Sequence, residues 1–201
     1  MQKIKLILAS SSPRRKELLG HLFLPFECHT SNIEETTNEL EPGLIVMDLA
    51  RQKTIEVSKK FDQARYLIIG SDTIVYFNNQ VLGKPKTHVE AMQTLRMLSG
   101  KTHEVYTGVC FSYNGEIKTF YEKTEVEFEK IDMLLMDSYV KTNDPMDKAG
   151  AYGIQGSALS FVKSLNGSYS NVMGFPINTV LEELLKHLDT DYKGLHEIFN
   201  S

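Results

Sequence analysis

Only two cysteines occur in 201 residues, Cys28 and Cys110, far apart and without a C-x-x-C spacing. So few thiols exclude a disulfide scaffold, and they read as buried or half-buried cysteines in a reducing cytoplasm rather than as a thiolate metal site. Long apolar runs are missing as well. The first stretch, Ile4 to Ala9, stops after six residues at Ser10-Ser11-Ser12-Pro13, too short for the apolar region of a signal peptide. No run approaches the roughly 18 to 20 residues of a membrane span. There is no excess of positive charge: 22 Lys+Arg face 26 Asp+Glu, a formal net charge of −4. That balance argues against a surface that tracks nucleic acid, where affinity rests on summed Lys and Arg contacts to phosphates. The six histidines show no H-x-x-H or H-E-x-x-H spacing, so zinc is not expected. A G-x-x-x-x-G-K-[ST] loop is also absent.

What is present is an ordinary globular composition, 41% hydrophobic and 24% charged, enough for one sizeable domain or one elongated domain of two lobes sharing a sheet. Strand and helix patterns alternate, which favours the α/β class. Ile4 to Ala9 reads as a strand buried on both faces, followed by a helix over Pro13 to Leu22 with Ser12 as its N-cap. A strand over Phe26 to Thr30 precedes a helix over Gly43 to Phe61. Tyr66 to Phe77 shows two apolar runs interrupted by Gly70-Ser71-Asp72-Thr73. A helix over Val89 to Leu98 ends at Ser99-Gly100. Asn114-Gly115 marks a hairpin between His103 to Tyr113 and Ile117 to Phe128. The second of these alternates near its end, so the sheet is expected to be mixed. Further helices are read over Ile131 to Val140 and, from the spacing of Ile177, Val180, Leu181, Leu184, Leu185 and Leu188, at the end of the chain. Residues 1–188 are taken as one domain and 189–201 as a loosely held polar tail.

Several segments could carry chemistry. Arg14 and Arg15 stand at the start of the first helix beside Ser10 to Ser12. Cations oppose the macrodipole there unless an anion is present, so the group is either a capped helix with solvated arginines or an anion site. Asp72 is either a turn former or a carboxylate needing a partner or a metal at the end of a buried strand. Glu34-Glu35 reads as a solvated loop or as hard oxygen ligands suited to Mg²⁺ or Mn²⁺. Lys53 falls on the apolar stripe of its helix, where it must snorkel or meet an anion. Lys84, held between Gly83 and Pro85, is structural or meets phosphate. In Asp147 to Gly156, glycines recur every third residue; the segment is a tight loop or an approach to a flat ligand, with Gln155 offering both a donor and an acceptor to a base edge.

Taken together, Ile7 to Arg15, Glu35, Leu49 to Lys53, Gly70 to Val75, Leu82 to Pro85, Leu98 to His103 and Asp147 to Gly156 resemble the Maf family of nucleoside triphosphate pyrophosphatases in order and spacing, over residues 4 to 188. The resemblance implies a cytoplasmic protein with a mixed, elongated, twisted sheet flanked by helices, its two lobes around a central cleft. The implied reaction is metal-dependent hydrolysis of a nucleoside triphosphate to the monophosphate and pyrophosphate. Carried over by motif, Asp72 is the catalytic carboxylate, and Glu35 holds Mg²⁺ or Mn²⁺ with it. Ser10, Arg15, Lys53 and Lys84 bind the triphosphate. Arg14, Thr73 and Gln155 are similar to the members acting on dTTP and UTP. Ser71 departs from that group, where alanine is usual. The alternatives are a purine house-cleaning pyrophosphatase, on 7-methyl-GTP or ITP, and a non-catalytic nucleotide-binding regulator of cell division. The substrate is the expected partner, with no nucleic acid and no membrane. A homodimer is suggested by the resemblance, although no decisive exposed apolar stripe is seen.

Overall fold

The computed structural model describes residues 3–199. In chain order the strands are β1 (Lys5–Leu8), β2 (Phe26–Cys28), β3 (Tyr66–Phe77), β4 (Gln80–Leu82), β5 (Thr102–Tyr113), β6 (Glu116–Phe128) and β7 (Val162–Asn166). The helices are α1 (Pro13–Gly20), α2 (Pro42–Ser58), α3 (His88–Leu98), α4 (Met133–Val140), α5 (Tyr169–Val172), α6 (Ile177–His187) and α7 (Tyr192–Phe199), with three short 3-10 turns between Asp144 and Phe161. The strands form one sheet in the order β2-β1-β3-β5-β6-β7, with β4 added to β3. β1 pairs in parallel with β2 and β3, whereas β4 on β3 and β7 on β6 are antiparallel. The mixed α/β sheet expected from the patterns is therefore observed. Among the described residues no helix is long and apolar enough to cross a membrane.

Two compact units are present: one comprises the chain up to Asp72, Thr107–Glu122 and the chain from Gly174, the other Thr73–Tyr106 and Lys123–Met173. In the first, Ile7, Ala9, Val57 and Ile68 form a buried cluster with Phe61 and Tyr66 against it. This is why β1 is apolar after its exposed first residue, Lys5: Leu6, Ile7 and Leu8 are all buried, each side chain contributing about 1.5 to 3 kcal/mol of transfer free energy. In the second, Leu95 and Leu98 of α3 and Met136 and Tyr139 of α4 pack with Val105, Phe128 and Phe161.

Three expectations need correction. The runs either side of Gly70 to Thr73 are one twelve-residue strand, β3, because Gly70, Ser71 and Asp72 are all buried and continue the ladder instead of turning. Residues 189–201 are not a loose tail over their described part. There α7 buries Leu195, Ile198 and Phe199, the Ile198 carbonyl accepts from the Ile4 N–H at 3.3 Å, and the Tyr192 hydroxyl donates to the Leu22 carbonyl at 2.8 Å. Three apolar residues in a polar segment made too faint a stripe. Cys28 is exposed, since β2 lies at the sheet's edge, while Cys110 is buried and burial raises its thiol to about 11.

Candidate active site

The first unit gathers three of the expected residues, Lys53, Asp72 and Glu35, around one strand and one helix. Period two places Gly70 and Asp72 on one face of β3. That face receives α2 at unusually short range: a Cβ at Gly70 would lie 2.2 Å from Thr54 Oγ1, and one at Gly108 of β5 would lie 2.2 Å from the Val46 carbonyl oxygen. Only hydrogen at these positions lets the helix settle so close. With α2 seated there, Lys53 reaches the sheet. Its Nζ lies 2.5 Å from Asp72 Oδ1 and 2.8 Å from Glu35 Oε2. The Lys53 and Asp72 side chains are only 12% and 10% exposed, whereas that of Glu35 is 47% exposed. Lys53 thus meets one buried carboxylate, Asp72, and one exposed one, Glu35, instead of snorkelling. The turn-forming reading of Asp72 does not apply, because its carboxylate is in an ion pair within a strand.

The β1–α1 junction supplies the cationic side. Ser12 caps α1, accepting from the Arg15 N–H at 3.5 Å, and the buried Ser10 accepts from the Ser12 N–H at 3.1 Å. No acidic residue stands in the first turn of α1, so Arg14 and Arg15 add to the positive end of the helix. Arg15 is half-buried, and its Nε donates to the Gly174 carbonyl at 2.9 Å. Burial lowers the pKa of its guanidinium, the Asp72 charge opposes that, Arg14 adds to it, and Glu35 opposes it; an arginine remains charged through such a shift. Ser71, on the other face of β3 from Asp72, points its hydroxyl at the same Gly174 carbonyl at 3.4 Å.

Gly174 went unrecognised in the sequence. Its signal was a glycine just before Phe175-Pro176, outside any helical or strand period, and its φ is +101°.

Lys84, Thr73 and Gln155 belong to the second unit. Lys84 is exposed and lines a cavity of about 330 Å³ with Glu90 and Met97. Thr73 and Gln155 are half-buried. The segments carrying Lys84 and Gln155 are tied together, since the Gly150 N–H donates to the Gly83 carbonyl at 3.1 Å.

No group of three or more His, Cys, Asp or Glu side chains is arranged to hold a metal ion among the described residues. Two carboxylates do converge on a single cation, the Lys53 ammonium. Such a pair suits Mg²⁺, which takes one or two carboxylates and completes its shell with water and substrate phosphates.

Fold and site together define a mixed α/β protein with a paired carboxylate–lysine centre beside a basic helix start. Its structure is similar to that of the Staphylococcus aureus Ham1 protein, with a TM-score of 0.54 over 92% of this chain and 98% of that one at 12% identity, a likeness of fold alone. The family model described as "Maf-like protein" matches residues 5–187, and the chain belongs to that family. It is 47% identical over 181 residues to a dTTP/UTP pyrophosphatase of Bacillus thuringiensis subsp. konkukian, spanning 90% of this chain and 94% of the relative. A dTTP/UTP pyrophosphatase of Bacillus cereus is 46% identical over 188 residues, spanning 93% and 97%.

Proposed function

We propose that this chain is a cytoplasmic nucleoside triphosphate pyrophosphatase that hydrolyses dTTP and UTP to the monophosphate and pyrophosphate. The observation that carries the reading is the placement of Lys53 between Asp72 and Glu35, in a chain whose relatives bear that activity in their names over nearly their whole length. Asp72 accepts the proton of the attacking water as the bond between the α-phosphorus and the bridging oxygen breaks. Ser10, Arg15, Lys53 and Lys84 bind the triphosphate and stabilise the charge that spreads over its oxygens and onto the leaving pyrophosphate. Arg14, Thr73 and Gln155 select the nucleotide. Asp72 and Glu35 would hold a divalent cation, Mg²⁺ or Mn²⁺, which supplies charge neutralisation and acidifies water when bound. An overall charge of −4 is compatible with this, because a compact triphosphate needs only a local cluster of cations.

The test is a panel of dTTP, UTP, CTP, 7-methyl-GTP and ITP under metal titration, reading pyrophosphate against orthophosphate. Pyrophosphate from dTTP and UTP is expected. A preference for either purine, or orthophosphate as the first product, would overturn the assignment.

A further inference from the structure

The segment that carries Gln155 is held in a shape it would not adopt alone. Gly150 has φ +66° and the next residue, Ala151, has φ +59° although it is not glycine. Ala151 is fully buried. A left-handed alanine persists only where its surroundings over-determine it, and two pins do so here. Upstream, Lys148 Nζ donates to the Asp144 carbonyl at 2.6 Å and to the Asp144 and Asp147 carboxylates at 2.9 and 2.7 Å. Downstream, the Tyr152 hydroxyl lies 2.7 Å from His103 Nε2, with both residues buried. Phe128 completes an edge-to-face trio with these two rings, at centroid separations of 4.8 to 5.3 Å.

The chemistry of His103 is odd for a purely packing residue. Its Nδ1 is buried without a hydrogen-bond partner among the described residues, a position that costs free energy a leucine would not lose. Burial lowers its pKa to about 4, so the ring is neutral in the physiological range and offers one donor and one acceptor. What it gains is the single bond to Tyr152, three residues from Gln155. We infer that His103, acting through the Tyr152 hydroxyl, is a positioning residue that fixes Gln155 and so sets selectivity for the nucleobase. The inference rests on the proposed assignment of Gln155 to nucleotide selection.

Tyr152→Phe removes the hydroxyl and keeps the ring. Loss of one such bond is worth about 2- to 12-fold in binding, so KM for dTTP and UTP should rise by that factor with kcat within about twofold. The ratio of kcat/KM for dTTP over ITP should fall in parallel, while loss of the buried bond lowers the melting temperature by a few degrees and leaves the protein folded. His103→Gln, which can still bond the hydroxyl, should restore most of the ratio relative to His103→Leu. Unchanged KM and ratio in Tyr152→Phe would overturn the positioning role while leaving the pyrophosphatase reading intact. Loss of fold in that variant would make the bond a stability element and overturn it too. A native protein that releases pyrophosphate from no nucleotide would remove both readings.

Discussion

Lys53 Nζ sits 2.5 Å from Asp72 Oδ1, a contact between the middle of α2 and the middle of β3 that leaves both side chains almost inaccessible to water. Asp72→Asn keeps the shape of the side chain but removes the proposed proton acceptor. Pyrophosphate release from dTTP should fall by about 10² to 10⁴, the usual contribution of a general base. Stability should change by less than the roughly 3 to 5 kcal/mol of a buried charge left wholly unpaired, because Glu35 still faces Lys53 at 2.8 Å. Single-turnover assays beside a thermal melt separate the two effects. Full turnover in a folded Asp72→Asn protein would contradict the role of Asp72.

Gly70→Ala tests how Lys53 is delivered. The new Cβ would meet Thr54 Oγ1 at 2.2 Å and the Ala50 carbonyl oxygen at 3.1 Å, so α2 must lift. Overpacking of this kind costs about 1 to 3 kcal/mol, and kcat should drop as Lys53 withdraws from Asp72. Adding Thr54→Ala removes the nearer clash and should recover part of both losses. A double variant no better than Gly70→Ala would show that the helix is held by something other than this contact.

Acid should destabilise the protein through His103. In the unfolded chain this group has its ordinary value of 6.5, and in the folded chain about 4. Above 6.5 the ring is neutral in both states. As pH falls from 6.5 toward 4 the unfolded chain binds a proton that the folded chain does not, so stability declines through that window. At about 1.4 kcal/mol per pH unit the full decline approaches roughly 3 kcal/mol. Urea unfolding at about pH 7 and about pH 4.5 should show a smaller drop in His103→Gln than in the native protein. Equal drops would sink the idea.

Leu195→Ala measures the worth of α7. The residue is fully buried, so its loss should cost about 2 to 5 kcal/mol and lower the melting temperature. A loosely held segment would give no measurable change.

Ser71→Ala asks whether the departure from the dTTP/UTP group at this position matters. The hydroxyl lies 3.4 Å from a Gly174 carbonyl that already accepts from Arg15 at 2.9 Å. A bond that long is weak, and kcat/KM for dTTP should move by less than about threefold. A larger change would make Ser71 a determinant of how Arg15 is held.

Much of the fold was legible where local chemistry dictates it: Ser12-Pro13 opens α1, Asn114-Gly115 turns the hairpin, and the α6 stripe is strongly periodic. The interior of β3 was not, because Gly70, Ser71 and Asp72 resemble a turn in sequence and become strand only through long-range pairing and the arrival of α2. Lys53 could be singled out, being a cation on an apolar stripe, but its partners come from 18 and 19 residues either side. Gly174 acts through a backbone carbonyl, which no side-chain pattern records. The His103–Tyr152 bond joins two residues 49 apart, and neither showed its partner in the sequence.

The first unit needs residues from Gly174 onward, whereas everything in the second has been synthesised once Met173 is made. During translation, at roughly 5 to 20 residues per second, the 159 residues that separate Arg15 from Gly174 take about 8 to 32 s to make, and for that time Arg15 lacks the carbonyl that takes it. The start of α1 is among the earliest parts of the chain to be made and among the last to be completed. A ribosome stalled before Gly174 would hold a nascent chain in which Arg15 lacks the carbonyl that fixes its guanidinium.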